Sequence, residues 1–416
     1  MRIKRFFKKL GPGFITGAAD DDPSGIATYS QTGVQFGYGQ LWTALFSFPF
    51  MTAVQEMCGR IGLVTGKGLS GVIKQHYSKH LLRGAVLLLV IANTINIGAD
   101  LGAMASATSL LLGLPFSVWL LLITVMTLGL EVFVSYPKYA RFLKYLALSL
   151  FAYVIVALLV KQDWHQVAIS TFIPHVEWNK AYILNIMAIL GTTISPYLFF
   201  WQADEEVEEE IEQHKLKALG VGKPKINQSD LRNMRIDTVV GMFFSNLVMF
   251  FIILTAASTL RLEGITVVST AAEAAEALRP IAGDFTFFLF ALGILGTGLL
   301  AVPILAGSAA YAVSEAMGWK AGLYQKLKNA HGFYGVITLA TLIGLIVNFL
   351  NIPPFTMLYY TAVFNGIVAP PLLIFILLIS NNKNIMGTHT NGWISNLLGV
   401  VITALMTTGA IALLLF

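Results

Sequence analysis

Three adjacent carboxylates stand inside an apolar stretch near the start of the chain. Asp20, Asp21 and Asp22 lie between GPGFITGAA and PSGIATYSQTG, where a first membrane helix is expected. Ionisable residues at membrane depth usually face a bundle interior or a cavity and mark a functional site. Pro23 and Gly25 follow at once, and a proline breaks a helix and frees a backbone carbonyl. Freed carbonyls at this depth survive only in a protein interior or along a cavity, so we predict that the break holds a metal ion.

A second proline interrupts the sixth apolar stretch, in GTTISPY. Broken helices at matching places in two halves of a chain are typical of inverted-repeat transporters, in which they form the substrate site at the midplane. Thr192 and Ser195 flank this second break with hard hydroxyl oxygens. We therefore predict an oxygen site built from both breaks, and we place Asn365 of the tenth stretch within its reach.

Composition assigns the chain to the polytopic helical membrane proteins. It has 416 residues, of which 56% are hydrophobic and 12% charged, and its mean hydropathy is +0.72. Soluble domains carry about 25% charged residues. The net charge of +5 does not indicate a nucleic-acid partner, because the basic residues lie in loops between apolar stretches. The lipid bilayer is the expected partner, and the sequence leaves the oligomeric state open, a monomer included.

Eleven stretches approach the roughly 20 residues that a helix needs to cross the hydrocarbon core. They lie at about 12–37, 40–64, 83–112, 115–134, 143–160, 181–203, 236–259, 284–316, 332–350, 355–380 and 393–415. The first is interrupted at 20–25 and the sixth near 192–197. The pattern predicts an all-α protein with repeats of spans 1–5 and 6–10 plus an eleventh helix, and residues 1–416 then form a single transmembrane transport domain.

The basic residues predict the orientation of these spans. With a cytoplasmic N-terminus, 23 of the 27 Lys and Arg residues fall in inside segments and 4 outside, which follows the positive-inside rule. Residues 1–10 are then cytoplasmic, the C-terminus is outside, and 204–235 is a cytoplasmic polar segment. Its acidic run, DEEVEEEIEQ, is predicted to extend the sixth helix with a solvated charged face. We expect the plasma membrane as the location and an ion pair between Glu56 and Arg60.

Polar residues of the third and fourth spans are candidates for an ion or proton pathway. Asn93, Asn96 and Asp100 are spaced i, i+3, i+7 and share one helix face. Hydrogen bonding between helices is the alternative for the two asparagines. Glu131, near the end of the fourth span, is interpreted as a gate or interface residue.

The motifs resemble those of the NRAMP family of divalent-metal transporters. GPGFITGAADDDPSGIATYSQTG is similar to that family's first helix, QEMCGRIGLVTGKGL to the end of its second helix, and GTTISPYLFFWQ occupies the place of its sixth-helix break. The resemblance covers most of the chain. It implies a LeuT-like fold, a divalent cation as transported substrate, no cofactor and no enzymatic activity.

Several positions depart from the family's pattern. The family's aspartate falls on Asp22, its asparagine on Gly25 and its backbone-ligand alanine on Thr192. Its metal-binding methionine falls on Ser195 and its histidine on Tyr197. In the third helix, the aspartate and glutamate that the family ties to proton movement fall on Ile97 and Asp100. These changes resemble the NRAMP-related magnesium transporters of prokaryotes.

The substitutions predict a hard cation. A thioether favours transition metals, whereas Ser195 offers a hydroxyl, and the change to Gly25 is expected to open space for a partly hydrated Mg²⁺; Mn²⁺ should also fit. Loss of the histidine and of one carboxylate predicts weak or no proton coupling, although Asp100 argues the other way. A proton-coupled Mn²⁺/Fe²⁺ symporter and, more remotely, an organic-solute transporter of the same fold are the alternatives.

Overall fold

The computed structural model describes residues 11–134, 150–350 and 352–415, and nearly all regular structure in this part is helical. The helices of the first half are α1 Pro12–Asp20, α2 Pro23–Phe36, α3 Trp42–Thr65, α4 Leu69–His76, α5 Lys79–Leu112, α6 Phe116–Phe133, α7 Phe151–Leu159 and α8 Trp164–Phe172. Those that follow are α9 Lys180–Thr193, α10 Pro196–Glu212, α11 Gln228–Ser258, α12 Ala271–Glu276, α13 Arg279–Ala282, α14 Thr286–Met317, α15 His331–Val347, α16 Pro354–Asn381, α17 Lys383–Met386 and α18 Trp393–Leu415.

The predicted spans coincide with these helices. Seven helical segments of the described residues are long and apolar enough to cross a membrane, with Lys180–Glu212 counted as one. The first span is broken, α15 has only 17 residues, and α3 carries Gln55, Glu56 and Arg60, which lower its hydropathy. In the predicted fifth span, residues 143–149 lie outside the described residues and α7 accounts for the rest. The sequence did not predict the short helices α4, α8, α12, α13 and α17.

Both breaks fall where they were predicted, and local chemistry explains them. Asp22 is the N-cap of α2 and Ser195 that of α10, and each is followed by a proline at the first helical position. Proline is favoured there because its missing N–H would have no intrahelical acceptor and its φ is already helical. Each proline therefore interrupts the span and also starts the second half-helix.

Glycines allow the half-helices to pack closely on their neighbours. A Cβ added to Gly17 of α1 would lie 2.3 Å from the carbonyl carbon of Gly241 in α11, and one added to Gly191 of α9 would lie 1.9 Å from the carbonyl oxygen of Ala362 in α16. Small residues at helix interfaces in membranes let backbones approach in this way. The broken spans are thus held against α11 and α16.

The acidic run after the sixth span extends that helix to Glu212, as predicted, but the prediction of a solvated charged face was wrong. Asp204, Glu206 and Glu210 are buried. The helical period turns part of the run inward, toward the ends of α11 and α14, instead of leaving it all in water.

The predicted ion pair of α3 is present and forms part of a larger network. Arg60 Nε lies 3.1 Å from Glu56 Oε1, and Arg235 Nε of α11 lies 2.8 Å from the same oxygen. The Arg60 guanidinium also donates to the carbonyl oxygen of His389 and to Asn391 Oδ1, both at 2.5 Å. Arg60 therefore ties α3 to the segment before α18.

Candidate metal site

The two breaks meet in the interior of the bundle. Ser24 Oγ of α2 lies 3.3 Å from Thr192 Oγ1 of α9. The Tyr197 hydroxyl of α10 donates to the carbonyl oxygen of Ala19 at 3.1 Å and lies 3.4 Å from Asp22 Oδ2. The folded chain therefore brings together the two segments from which the sequence predicts a site, 170 residues apart.

Asp22 has a double role at this meeting point. Its Oδ1 accepts hydrogen bonds from the Gly25 amide at 2.8 Å and from Ser24 Oγ at 2.6 Å, so this oxygen caps α2. Its Oδ2 faces Tyr197 across the two breaks. One oxygen is thus committed to the helix end, and the other is directed toward the sixth span.

The side chains of Asp20 and Asp21 point toward α11 and away from the sixth span. Ser245 Oγ of α11 donates to Asp20 Oδ2 at 2.5 Å and lies 3.4 Å from Asp21 Oδ1. Among the residues that the structure describes, no three His, Cys, Asp or Glu side chains are grouped to hold a metal ion. Which of the three aspartates reach an ion is left open by the sequence, and in the structure Asp20 belongs to α1 whereas Asp22 caps α2, so the chain turns between them.

The space expected beside Gly25 is also smaller than predicted. A Cβ added there would lie 3.2 Å from the carbonyl oxygen of Asp20, 3.2 Å from Tyr29 Cε2 and 3.5 Å from Thr192 Oγ1. These contacts are tight, so the prediction of open room at this position was wrong for this conformation. The ring of Tyr29, one turn further along α2, fills the space that the missing side chain leaves.

The sixth-span residues contribute hydroxyl and carbonyl oxygens. Ser195 Oγ lies 2.6 Å from the Gly191 carbonyl oxygen and 2.8 Å from that of Thr192, and it donates to this pair at the end of α9. The Thr192 hydroxyl points to Ser24. Helix C-termini carry partial negative charge, and both α1 and α9 end here, so the centre combines carboxylate, hydroxyl and carbonyl oxygens in a setting that favours a cation.

Asp100 and Asn96 of α5 are buried polar groups beside the breaks. Asp100 is close enough to Asp22 for electrostatic interaction. Within the described part of the chain, neither carboxylate oxygen of Asp100 and neither amide atom of Asn96 has a hydrogen-bond partner. Buried polar groups are normally paired, so these side chains are available to an ion or to water.

The other polar candidates occupy different surroundings. Asn93 Nδ2 donates to the Leu305 carbonyl oxygen at 2.8 Å and to Ser308 Oγ at 2.7 Å, so this side chain joins α5 to α14 by the interhelical bonding weighed as an alternative. Glu131 is buried beside Thr341 of α15. Asn365 is buried in α16, the helix that packs on α9, and its Nδ2 has no partner among the described residues.

Sequence reasoning missed two residues that organise the first break. Ser245 holds Asp20 and Asp21, and Asp237 accepts hydrogen bonds from the Gly11 and Gly13 amides at 3.0 and 2.7 Å, which anchors the start of α1. A serine within an apolar helix does not by itself indicate that it contacts a functional residue. The free amides at a helix start do require an acceptor, but nothing in the sequence shows that α11 supplies it.

Comparisons with known proteins agree with this architecture. The family model described as "Natural resistance-associated macrophage protein-like" (Nramp) matches residues 13–416. The divalent metal cation transporter MntH of Caldanaerobacter subterraneus is 25% identical over 415 residues, which are 97% of this chain and 92% of that protein.

Solved structures show the same fold. The Eremococcus coleocola manganese transporter, crystallised with an aromatic bis-isothiourea compound, superimposes with a TM-score of 0.79 at 16% identity over 97% of this chain and 86% of that one. Mhp1, a nucleobase-cation-symport-1 family transporter with the LeuT fold, gives 0.60 at 13% identity over 98% and 90%. With a family model that spans nearly its whole length, the chain belongs to the Nramp family.

Proposed function

We propose that this protein carries divalent metal cations across a membrane by alternating access, with Mg²⁺ as its substrate and Mn²⁺ also accepted. Membership of a family of transporters supports the coarse part of this proposal, as do relatives named divalent metal cation transporters. The choice of ion rests on the site itself.

The observation that carries the choice is the donor set at the sixth-span break. Thr192 and Ser195 stand just before Pro196, and both present hydroxyl oxygen. The opposite break adds Asp22, and the half-helix ends add carbonyl oxygens. Mg²⁺ takes oxygen ligands and is usually held by one or two carboxylates with several waters retained. A soft ligand, which would favour transition metals, is missing from both breaks.

Weak or no proton coupling is part of the proposal. Tyr197 replaces an imidazole, which is the side chain whose ordinary titration lies near neutral pH, and Ile97 replaces a carboxylate. Uptake then needs another source of free energy. A potential of 100 mV, negative inside, contributes about 2.3 kcal/mol per charge, or about 4.6 kcal/mol for a divalent cation.

A proton-coupled Mn²⁺ transporter is the second candidate, and one observation favours it. Asp100 is buried close to Asp22, and its carboxylate has no hydrogen-bond partner among the described residues. A carboxylate so placed can carry a proton. The name of the structural neighbour, a manganese transporter, points in the same direction.

The proposed setting is the plasma membrane, with the N-terminus in the cytoplasm and the C-terminus outside. The support is the distribution of Lys and Arg, 23 in the inside segments against 4. Import then moves the cation from the side of α8 and α12 toward the side of the acidic end of α10.

Uptake by the purified protein in proteoliposomes tests the proposal. Mg²⁺, Mn²⁺ and Ca²⁺ are offered separately and in competition, with internal pH recorded and the potential clamped by a K⁺ gradient. We expect Mg²⁺ uptake that follows the potential, competition by Mn²⁺, and no internal acidification. Mn²⁺ uptake that excess Mg²⁺ does not reduce, accompanied by acidification, would replace the first candidate by the second.

A further inference from the structure

A second acidic region lies far from the two breaks. A cavity of about 310 Å³, here called the inner cavity, opens where the end of α10, the start of α11 and Gly11 meet. Its charged lining consists of five carboxylates and one ammonium, from Glu206, Glu209, Glu210, Asp230, Asp237 and Lys215. Glu206 lies eleven residues beyond Ser195, which is about 16 Å along the helix axis. The inner cavity is therefore separate from the mid-membrane site.

Most of these carboxylates are engaged with protein donors. Asp230 pairs with Lys215 Nζ at 2.8 Å, and Asp237 accepts the two amides at the start of α1. Glu206 accepts from the Gln202 amide at 2.9 Å, and Glu209 from that of Gln213 at 2.8 Å. Lys215 supplies one positive charge, so the ionised lining keeps a formal charge of −4.

Glu210 is the exception. It is 1% exposed, and neither of its carboxylate oxygens has a hydrogen-bond partner in the described part of the chain. Burial of a carboxylate without a partner is strongly unfavourable. Glu206 and Glu209 add like charges on the same helix. A cation that enters the inner cavity would offset this charge together with Lys215, the basic residue of its lining.

We propose that the inner cavity binds a hydrated divalent cation, with Glu210 as its principal acceptor. Direct coordination is not expected, because no three acidic side chains of the described residues are grouped for it. A cation that keeps its water shell fits better, and Mg²⁺ gives up water reluctantly. Six waters at about 30 Å³ each fill about 180 Å³, which is less than the volume of the cavity. The waters would donate to the carboxylates.

Such a cation would connect three helices. Glu206, Glu209 and Glu210 belong to α10 and Asp237 to α11, while a Cβ on Gly11 would lie 3.0 Å from Glu209 Oε2 and 3.5 Å from Asp237 Oδ2. The bound ion would offset the repulsion between α10 and α11 beside the start of α1. It therefore stabilises this arrangement of the three helix ends, and under the proposed orientation it does so from the cytoplasm, where an imported ion accumulates.

Binding is measured with purified full-length protein in detergent, using Mn²⁺ as the paramagnetic probe. All variants carry Asp22→Asn, so that the mid-membrane site contributes as little as possible to the measured Mn²⁺ binding. We expect Glu210→Gln to weaken Mn²⁺ binding at least about tenfold, which corresponds to about 1.4 kcal/mol. Glu263→Gln, a change of the same kind at an exposed position between α11 and α12, should leave binding unchanged.

Thermal unfolding supplies a readout that a purely structural role would not move. Added Mg²⁺ should raise the Tm of the Asp22→Asn protein, because a ligand that binds only the folded state stabilises it. It should not raise the Tm once Glu210→Gln is added. Without a divalent cation, Glu210→Gln should itself raise the Tm, since it removes an unpaired buried charge. Glu209→Gln serves as a second variant if Glu210→Gln does not fold.

Equal Mn²⁺ affinity with and without Glu210→Gln, or an equal Mg²⁺-induced shift in Tm, would overturn the proposal. Failure of the transport proposal looks different. It would appear as Mn²⁺ uptake that excess Mg²⁺ does not reduce, accompanied by acidification, and it would leave the effect of Glu210→Gln on Mn²⁺ binding intact.

Discussion

The two breaks are built on the same plan but use their capping residues differently. Each places a polar residue before a proline at the start of a half-helix, Asp22 before Pro23 and Ser195 before Pro196. Asp22 caps the helix that follows it, whereas Ser195 turns back to the carbonyls of the helix before it. The first break therefore supplies a fixed negative charge, and the sixth supplies neutral oxygens.

Under the proposed function, that difference assigns attraction of the cation to the first break and its selection to the sixth. A carboxylate attracts any cation, and the charge determines how strongly. Under the proposed function, the neutral oxygens opposite would decide how well each cation is coordinated, because the preference between hard and soft ions depends on the ligand atom. Variants of the two breaks should therefore affect different measurements.

The largest effect is expected at the charged break. Asp22→Asn removes the charge but keeps a good N-cap, so transport should be lost while the Tm stays within a few degrees. Asp22→Ala also removes the cap, which contributes about 1 kcal/mol, and should lower the Tm further. Asp163→Asn is the matched control, because Asp163 caps the exposed start of α8, where its Oδ1 accepts from the Gln166 amide at 3.0 Å. Uptake that survives in Asp22→Asn would remove this carboxylate from the site.

The second-largest effect is expected from changes to the packing of the half-helices. Gly17→Ala and Gly191→Ala each force a methyl group into a neighbouring backbone, and overpacking of this kind typically lowers stability by about 1–3 kcal/mol. Thermal unfolding should show a clear fall in Tm for both. At Gly39 no described atom lies within 4 Å of an added Cβ, so Gly39→Ala should have no such effect. A Tm for Gly17→Ala equal to that of Gly39→Ala would contradict the close contact of α1 with α11.

Loss of the Tyr197 hydrogen bond that joins the two breaks should have a smaller effect. Tyr197→Phe removes the hydrogen bond to the Ala19 carbonyl oxygen, and one such bond contributes about 1 kcal/mol. We expect uptake to fall several-fold for Mg²⁺ and Mn²⁺ alike. Tyr38→Phe deletes a 2.8 Å hydrogen bond to Gln162 outside the breaks and should leave uptake unchanged. Unequal loss for the two ions would make Tyr197 a selectivity residue instead.

The smallest effect is expected on the preference between ions alone. Ser195→Met introduces a thioether at the neutral break and should raise the preference for Mn²⁺ or Cd²⁺ over Mg²⁺ by a few fold. Competition in proteoliposomes measures the ratio. Thr193→Val is the control, since its hydroxyl donates to the Ile189 carbonyl within α9. An unchanged ratio in Ser195→Met would contradict selection by the neutral oxygens.

Local sequence was sufficient to place both breaks and the helix that extends the sixth span. A proline beside a capping residue specifies a helix start without help from the rest of the fold. The aspartate triplet shows the limit of this reasoning. Asp20 and Asp22 are two residues apart, yet one contacts α11 and the other faces α10, and only the packing of those helices decides which.

Apolar periodicity, prolines and charges along the chain by themselves determined a polytopic helical protein with two broken spans, because each of these signals acts over a few residues. The tertiary structure alone decided which oxygens meet. It directed Asp22 toward Tyr197, filled the space at Gly25 with Tyr29, and buried Glu210 in the inner cavity. These outcomes depend on contacts between residues far apart in sequence, whose geometry is set by helix packing.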